Sequence, residues 1–409
     1  MLKVIKTTAY SDMKMGTAGL RKKSKVVLQE NYLENFVQSV FNAIGGVKGL
    51  TFILGGDGRY YNKIAIQKIM KMAAANGMKK MIVGQNGFIS TPASSHVLLM
   101  NKADGGFVLS ASHNPGGING DFGIKYAIAS GGQCPTSISD KIYEISKTIS
   151  EYKTLDEPDV DLSKLGTQKL GDMEIEVIDP VKDYVEMMEK IFDFAAIKKL
   201  FANGFTMVFD AMNAVTGPYA RKIFEEILGA KQGSVLNYVP LEDFGGLHPD
   251  PNLIYAKTLV DLMYSDKAPD FGAANDGDGD RNMILGKKFF VTPSDSLAIL
   301  TDNYKLIPAY KNGIYGVAKS AATSTAVGRV AEALQIGYYE VPTGWKYFCN
   351  LMDSNRITFC GEESFVTVSR HILEKDVIWA VKLLAITLYQ KLSRLFIMIR
   401  LTAVRLKTV

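Results

Sequence analysis

Cysteine, histidine and tryptophan are scarce in this chain. Its 409 residues include 3 Cys, 4 His and 2 Trp. Cys134, Cys349 and Cys360 show no metal-binding spacing, and an odd number cannot all pair, so a reducing, cytoplasmic setting is expected. Proline is limited to 13 residues while apolar residues reach 47%, which excludes a disordered or fibrous chain. Long apolar runs are missing. The best stretch, Val377 to Ile386, is cut by Lys382, so no transmembrane segment is expected. The opening Met-Leu-Lys-Val-Ile-Lys lacks the apolar stretch of a signal peptide. An excess of either charge is missing from the body as well. Five of the 47 Lys and Arg lie in residues 391–409, which hold no acid, and 42 basic residues remain against 42 acidic ones. That balance gives no electrostatic reason to expect nucleic acid as a partner. No P-loop and no Gly-x-Gly-x-x-Gly fingerprint is present, so ATP or NAD use lacks a motif.

The length corresponds to two or three domains. Short apolar runs alternate with helical patterns, the signature of an α/β fold. Strands are expected at Thr51–Leu54, Lys80–Val83 and Gly106–Leu109, with a helix over Asn62–Asn76 between the first two. The scheme returns with strands at Phe205–Phe209, Ser234–Val239 and Asp270–Ala274, and a helix over Gly217–Leu228. A third round has strands at Gly316–Ala318, Tyr338–Val341 and Arg356–Cys360, and a helix over Thr323–Leu334. The expected organisation is three consecutive similar α/β domains with mixed sheets, 1–183, 184–291 and 292–390, then a divergent basic tail, 391–409. The charged segment 150–180 reads as a surface connection. In each unit the last strand runs into a polar loop, and such loops at strand carboxyl ends can meet in a central cleft.

The first informative loop is Asp276-Gly-Asp278-Gly-Asp280-Arg281. Glycines between carboxylates let the backbone fold so that three oxygens face one point. Three hard oxygens suit Mg²⁺, which prefers few carboxylates plus water or phosphate. An EF-hand fails, because its Gly and Glu positions hold Arg281 and Lys287. A solvated acidic turn is the plain alternative, but three converging carboxylates without a cation would repel one another. The second loop, Ser110-Ala-Ser112-His113-Asn114-Pro115, puts a hydroxyl beside an acid–base group. A hydrolase triad lacks support, since no Gly-x-Ser-x-Gly elbow exists. The third, Gly361-Glu362-Glu363-Ser364, offers acceptors and a hydroxyl suited to sugar hydroxyls, or an ordinary turn. Arg21, beside Gly19, is a candidate phosphate clamp. Taken singly, Lys125 and Lys375 are ambiguous.

Together these loops resemble the α-D-phosphohexomutase superfamily, and specifically phosphoglucomutase of the eukaryotic type, including parafusin. The resemblance rests on Thr17-Ala-Gly-Leu-Arg21, Ser110 to Pro115, Gly120-Asp-Phe-Gly-Ile-Lys125, Asp276 to Arg281, Pro342-Thr-Gly-Trp-Lys346 and Gly361-Glu-Glu-Ser-Phe365, in family order up to about Ile386. It implies that Ser112 carries the phosphoryl group and that Ser112, Asp276, Asp278 and Asp280 hold Mg²⁺. It further implies that His113, Arg21, Lys125 and Lys375 surround the transferring group as catalytic residues. Thr17, Arg281, Thr343, Gly344, Glu362 and Ser364 would bind substrate. The implied reaction interconverts glucose 1-phosphate and glucose 6-phosphate through glucose 1,6-bisphosphate, which acts as intermediate and activator. A cytoplasmic monomer whose partners are glucose phosphates is the matching expectation.

The chain also departs from that pattern. The family's fourth domain has no counterpart before residue 409, so impaired turnover is expected. The alternative from another class is a catalytically weak cytoplasmic scaffold or exocytosis-associated phosphoprotein. Valines stand at 366, 368 and 377 where the family has glycine, and Arg370 stands where it has an acid. If those positions keep a left-handed backbone, each valine costs about 1–3 kcal/mol.

Overall fold

The computed structural model describes residues 1–386 apart from 17, 373, 383 and 384, and gives no side-chain position for Lys346. The expectations for Thr17 and for the tail 391–409 lie outside the described residues. Three α/β units follow one another, each on its own mixed sheet.

The first sheet has seven strands. Their spatial order is Leu20–Lys23, Asp121–Ile128, Gly105–Leu109, Thr51–Gly56, Lys80–Phe88, Met173–Ile178 and Gly166–Leu170. Its middle strands are parallel and apolar on both faces, because helices cover both sides. Helix Asn62–Ala75 makes the crossover from Thr51–Gly56 to Lys80–Phe88. Phe107 is fully buried there, with the rings of Phe41 and Phe52 each 6.0 Å away. The second sheet runs Val235–Leu236, Met207–Asp210, Phe271–Asn275, Asn282–Gly286, Phe289–Val291. The third runs Gly337–Val341, Gly316–Ser320, Phe359–Glu362, Val366–Ser369.

One device recurs in all three. A strand parallel to its neighbour ends, the chain turns, and the next strand returns antiparallel to it. The pairs are Gly105–Leu109 with Asp121–Ile128, Phe271–Asn275 with Asn282–Gly286, and Phe359–Glu362 with Val366–Ser369. The serine, aspartate and glutamate loops are therefore equivalent connections. A continuous apolar core runs from Ile53 and Val108 through Phe209 to Trp379, fixing the units against one another.

Several expectations need correction. Segment 150–180 is not a surface connection. It contributes Glu151–Leu155, Gly166–Leu170 and Met173–Ile178, and the last of these lies between two other strands of the first sheet. Its charges alternate with buried Met173, Ile175 and Val177, which is the strand period. The strand expected over Ser234–Val239 shrinks to Val235–Leu236, and the helix over 217–228 is a short α-turn continued as a π-helix over Arg221–Ile227. The valines at 366 and 368 cost no left-handed strain. They lie in a regular strand, opposite Glu362 and Cys360, and it is Phe365 that takes positive φ (67°). Val377 is buried without positive φ, and the Arg370 guanidinium lies 5.7 Å from the Tyr315 ring. Among the described residues no helix is long and apolar enough to cross a membrane.

Candidate active site

Ser112 sits at the start of the first loop in a left-handed conformation, φ 55°. All its polar groups are engaged. Its N–H donates to Ser110 Oγ (2.7 Å), its carbonyl accepts from Arg59 Nη2 (2.8 Å), and its Oγ donates to Asp276 Oδ2 (2.7 Å). The serine loop and the aspartate loop are thus joined by a hydroxyl–carboxylate contact across 164 positions of sequence. They also touch through backbone, since a Cβ on Gly277 would stand 2.5 Å from the Ser112 carbonyl oxygen.

Asp276, Asp278 and Asp280 are buried, with one oxygen from each within 4.8 Å of the others. Asp276 Oδ1 accepts the N–H groups of Gly279, Asp280 and Arg281 at 3.0–3.1 Å. Burial, followed by the charges of Asp280 and Asp278, pushes its carboxyl up, while the Arg281 charge and the Ser112 hydroxyl oppose that shift. Burial would also raise Asp278, but Lys125 overrides it. Lys125 Nζ lies 2.5 Å from Asp278 Oδ2, with Thr91 Oγ1 donating to the same oxygen, and the carboxyl is held well below its usual range. Burial acts likewise on Asp280 and is outweighed by contact with the Lys375 ammonium, which keeps it low.

These ligands fit a divalent cation. Asp278 Oδ1 and Asp280 Oδ1 are buried with no hydrogen-bond partner among the described residues. Orphaned carboxylate oxygens beside a third carboxylate and a serine hydroxyl are the donor set of a hard metal ion.

The rest of the site is cationic. Arg21 lies on Leu20–Lys23, paired with Gly123, and its Nε is buried without a partner among the described residues. Arg281 Nε lies 4.0 Å from Asp280 Oδ1, too far for a hydrogen bond. Burial, then the charges of Arg281 and Arg21, pulls the His113 imidazole down to about 4. The His113 and His248 rings are 6.4 Å apart, and Nδ1 of each is buried and unpartnered among the described residues. Donors left open around a serine hydroxyl are suited to a phosphoryl group.

The sugar-loop candidates form a second cluster. Gly344, at φ 132°, donates its N–H to Glu362 Oε1 (2.9 Å), which ties the 342–346 turn to the glutamate loop. Glu363 is held by Ser320 Oγ (2.7 Å) and Thr323 Oγ1 (3.1 Å). Thr343 is exposed and Ser364 half-buried, and no hydrogen bond joins either to the serine–aspartate centre among the described residues. The tether is Asn282, whose N–H donates to the Phe365 carbonyl (2.9 Å) and whose Nδ2 donates to Thr367 Oγ1 (2.9 Å). Two residues at the centre escaped sequence reasoning. Arg59 and Thr91 belong to no polar motif, although the Asp57-Gly-Arg59 turn after a buried strand was a signal of the same kind as the other loops.

Comparison with known proteins follows the same three units. Residues 12–153, 182–288 and 293–399 match, respectively, the alpha/beta/alpha domains I, II and III described as Phosphoglucomutase/phosphomannomutase. A Phosphoglucomutase of Rhizobium radiobacter is 59% identical over 93% of the chain and 70% of its own length. A chloroplastic Phosphoglucomutase of Brassica napus is 56% identical over 93% of the chain, which spans 61% of that relative. The Paramecium exocytosis-sensitive phosphoprotein pp63/parafusin, in open form, superimposes with a TM-score of 0.92 at 47% identity, covering 96% of this chain and 73% of that one.

Proposed function

Since the chain belongs to the phosphoglucomutase/phosphomannomutase family, we propose that it interconverts glucose 1-phosphate and glucose 6-phosphate, with Ser112 as the phosphoryl carrier. The observation that carries this reading is the Ser112 Oγ–Asp276 Oδ2 contact of 2.7 Å, set among three buried aspartates and open cationic donors. Phosphoryl transfer asks for positioning and charge neutralisation more than for covalent novelty.

Phosphoserine 112 gives its group to a sugar hydroxyl. The bond from phosphorus to Ser112 Oγ breaks, a bond to the sugar oxygen forms, the sugar hydroxyl proton passes to a base, and the departing Ser112 Oγ takes a proton from an acid. We assign that proton exchange to His113 and Lys375. Arg21, Lys125 and Arg281 spread the charge of the equatorial oxygens. A Mg²⁺ ion held by Asp276, Asp278, Asp280 and the serine oxygen would supply Lewis-acid polarisation of the phosphoryl group. Glucose 1,6-bisphosphate then turns in the cleft, and its other phosphate returns to Ser112. We assign substrate binding to Glu362, Ser364, Thr343, Gly344 and Thr17, beside Arg281. A paired Glu-Glu-Ser loop favours glucose over mannose, and we place the chain in the cytoplasm as a monomer. A second reading, a phosphoprotein of exocytosis, is supported by the parafusin likeness, and that relative bears both descriptions.

The test is incubation with labelled glucose 1,6-bisphosphate, beside a coupled assay of glucose 6-phosphate. Label should enter Ser112 and not Ser110, and Ser112→Ala should remove it. Label retained at the unmutated level in Ser112→Ala would refute the assignment. Label without any glucose 6-phosphate formation would favour the phosphoprotein reading.

A further inference from the structure

On the reading that Ser112 carries the phosphoryl group, we propose that Arg59 is a positioning residue that holds this serine in its reactive conformation, above all once the serine is phosphorylated. Arg59 is 1% exposed, and both terminal nitrogens of its fork are spent on one loop. Nη2 donates to the Ser112 carbonyl (2.8 Å), and Nη1 to the carbonyls of Asp121 (2.9 Å) and Asn114 (3.3 Å). Nε donates to both oxygens of Asp57, at 2.9 and 3.1 Å. Asp57 is itself anchored, because Asn62 Nδ2 donates to it (3.3 Å) and to the Leu109 carbonyl (3.0 Å). The guanidinium therefore ties both ends of the serine loop to the turn that follows Thr51–Gly56, and Asn62 ties that turn to the end of the strand that feeds the loop.

The need for such a device lies in the backbone of Ser112. A serine at φ 55° is strained, and it stays there only if its surroundings over-determine it. Three hydrogen bonds do so in the unphosphorylated state. Phosphorylation replaces the O–H that reaches Asp276, so that bond is lost. What remains is the short bond from Ser112 N–H to Ser110 Oγ, within the loop, and the bond from Arg59, which comes from outside it. Arg59 also stands where the serine and metal loops meet. The Phe244 ring of the second unit lies 5.1 Å from the guanidinium carbon, and a Cβ on Gly277 would stand 3.2 Å from Nη2. A lysine can keep the charge pair with Asp57 but cannot reach three carbonyls, since its donors radiate from one atom.

Arg59→Lys is the decisive variant, with Arg59→Gln beside it. Ser112 labelling by radiolabelled glucose 1,6-bisphosphate is followed in a single turnover with Mg²⁺ present. KM, Mg²⁺ affinity by calorimetry, and melting temperature are measured in parallel. Arg59→Lys keeps a partner for Asp57 and is expected to fold. Its transfer rate should fall about 10²-fold, the usual cost of a reacting atom misplaced by about an ångström. KM and Mg²⁺ affinity should stay within about threefold, a split that general loosening does not produce. A folded Arg59→Lys with the unmutated transfer rate would overturn the proposal. So would a rate loss matched by an equal loss of Mg²⁺ affinity. Failure of the unmutated protein to take label would overturn the reading beneath the proposal instead, and the two failures are distinguishable.

Discussion

Replacing Lys382 with methionine should stabilise this protein at neutral pH. Lys382 is 1% exposed, in the helical stretch that begins at 377, and its ammonium has no hydrogen-bond partner among the described residues. It stands over the faces of Phe192 (4.9 Å) and Phe194 (4.8 Å). Burial pulls its amine from 10.5 down to about 7, against the pull of Asp376 and Glu189. The unfolded chain therefore binds a proton between pH 7 and 10.5 that the folded chain does not. Stability rises with pH across that window, and at pH 7 the buried amine costs roughly 4 kcal/mol relative to a neutral side chain. The aromatic faces return about 1–2 kcal/mol to the charged form. Methionine has nearly the same length and no charge to bury, so Lys382→Met should gain about 2–3 kcal/mol at pH 7. Near pH 10 the gain should shrink to below about 1 kcal/mol, since the unfolded amine is then within about one pH unit of losing its proton as well. Calorimetric melting of both proteins from pH 6.5 to 10 provides the assay. A variant that melts lower than its parent at pH 7, or a gain that does not shrink with rising pH, would refute the reasoning.

Other outcomes follow from the site and the core. Asp278→Asn should weaken Mg²⁺ binding by at least about 10-fold in a calorimetric titration, because one ligand charge is lost while Lys125 stays beside it. Gly277→Ala should lower mutase turnover about 10²-fold with little change in melting temperature, since the new methyl meets the Ser112 carbonyl at 2.5 Å and one loop must shift. Phe107→Ala should cost about 3–5 kcal/mol in a denaturant titration of the first unit, as it empties the centre of an aromatic cluster.

Much of the site could be read without coordinates because its chemistry is concentrated in short polar loops after apolar strands. Asp276, Asp278 and Asp280 are unusual at any place in a chain, and two-residue spacing around glycine announces convergence. Arg59 and Thr91 were not legible for the opposite reason. A buried arginine that bonds carbonyls uses no special neighbours, and its partners at Ser112, Asn114 and Asp121 are 53 to 62 positions away. The strand Met173–Ile178 was hidden by its charges, since composition over 30 residues averages out a period of two. The valines at 366 and 368 misled because a likeness of position was taken as a likeness of backbone, whereas the left-handed residue of that loop is Phe365.

The three-unit construction also has a consequence for synthesis on the ribosome. Ser112 and Lys125 leave the exit tunnel long before the aspartates they touch, and Lys375 comes last. The chain must grow by 263 residues between Ser112 and Lys375, about 13–50 s at ordinary elongation rates. During that interval the first sheet can form, because Met173–Ile178 closes it well before the second unit is complete. The aspartate loop, in contrast, emerges with Lys125 as its one buried ammonium partner, and Asp280 waits for a residue 95 positions downstream. A nascent chain stalled between these points would hold a folded first unit beside an acidic loop that has Lys125 but still lacks its second ammonium, Lys375. The proposed centre is therefore assembled in full only after Lys375 has emerged.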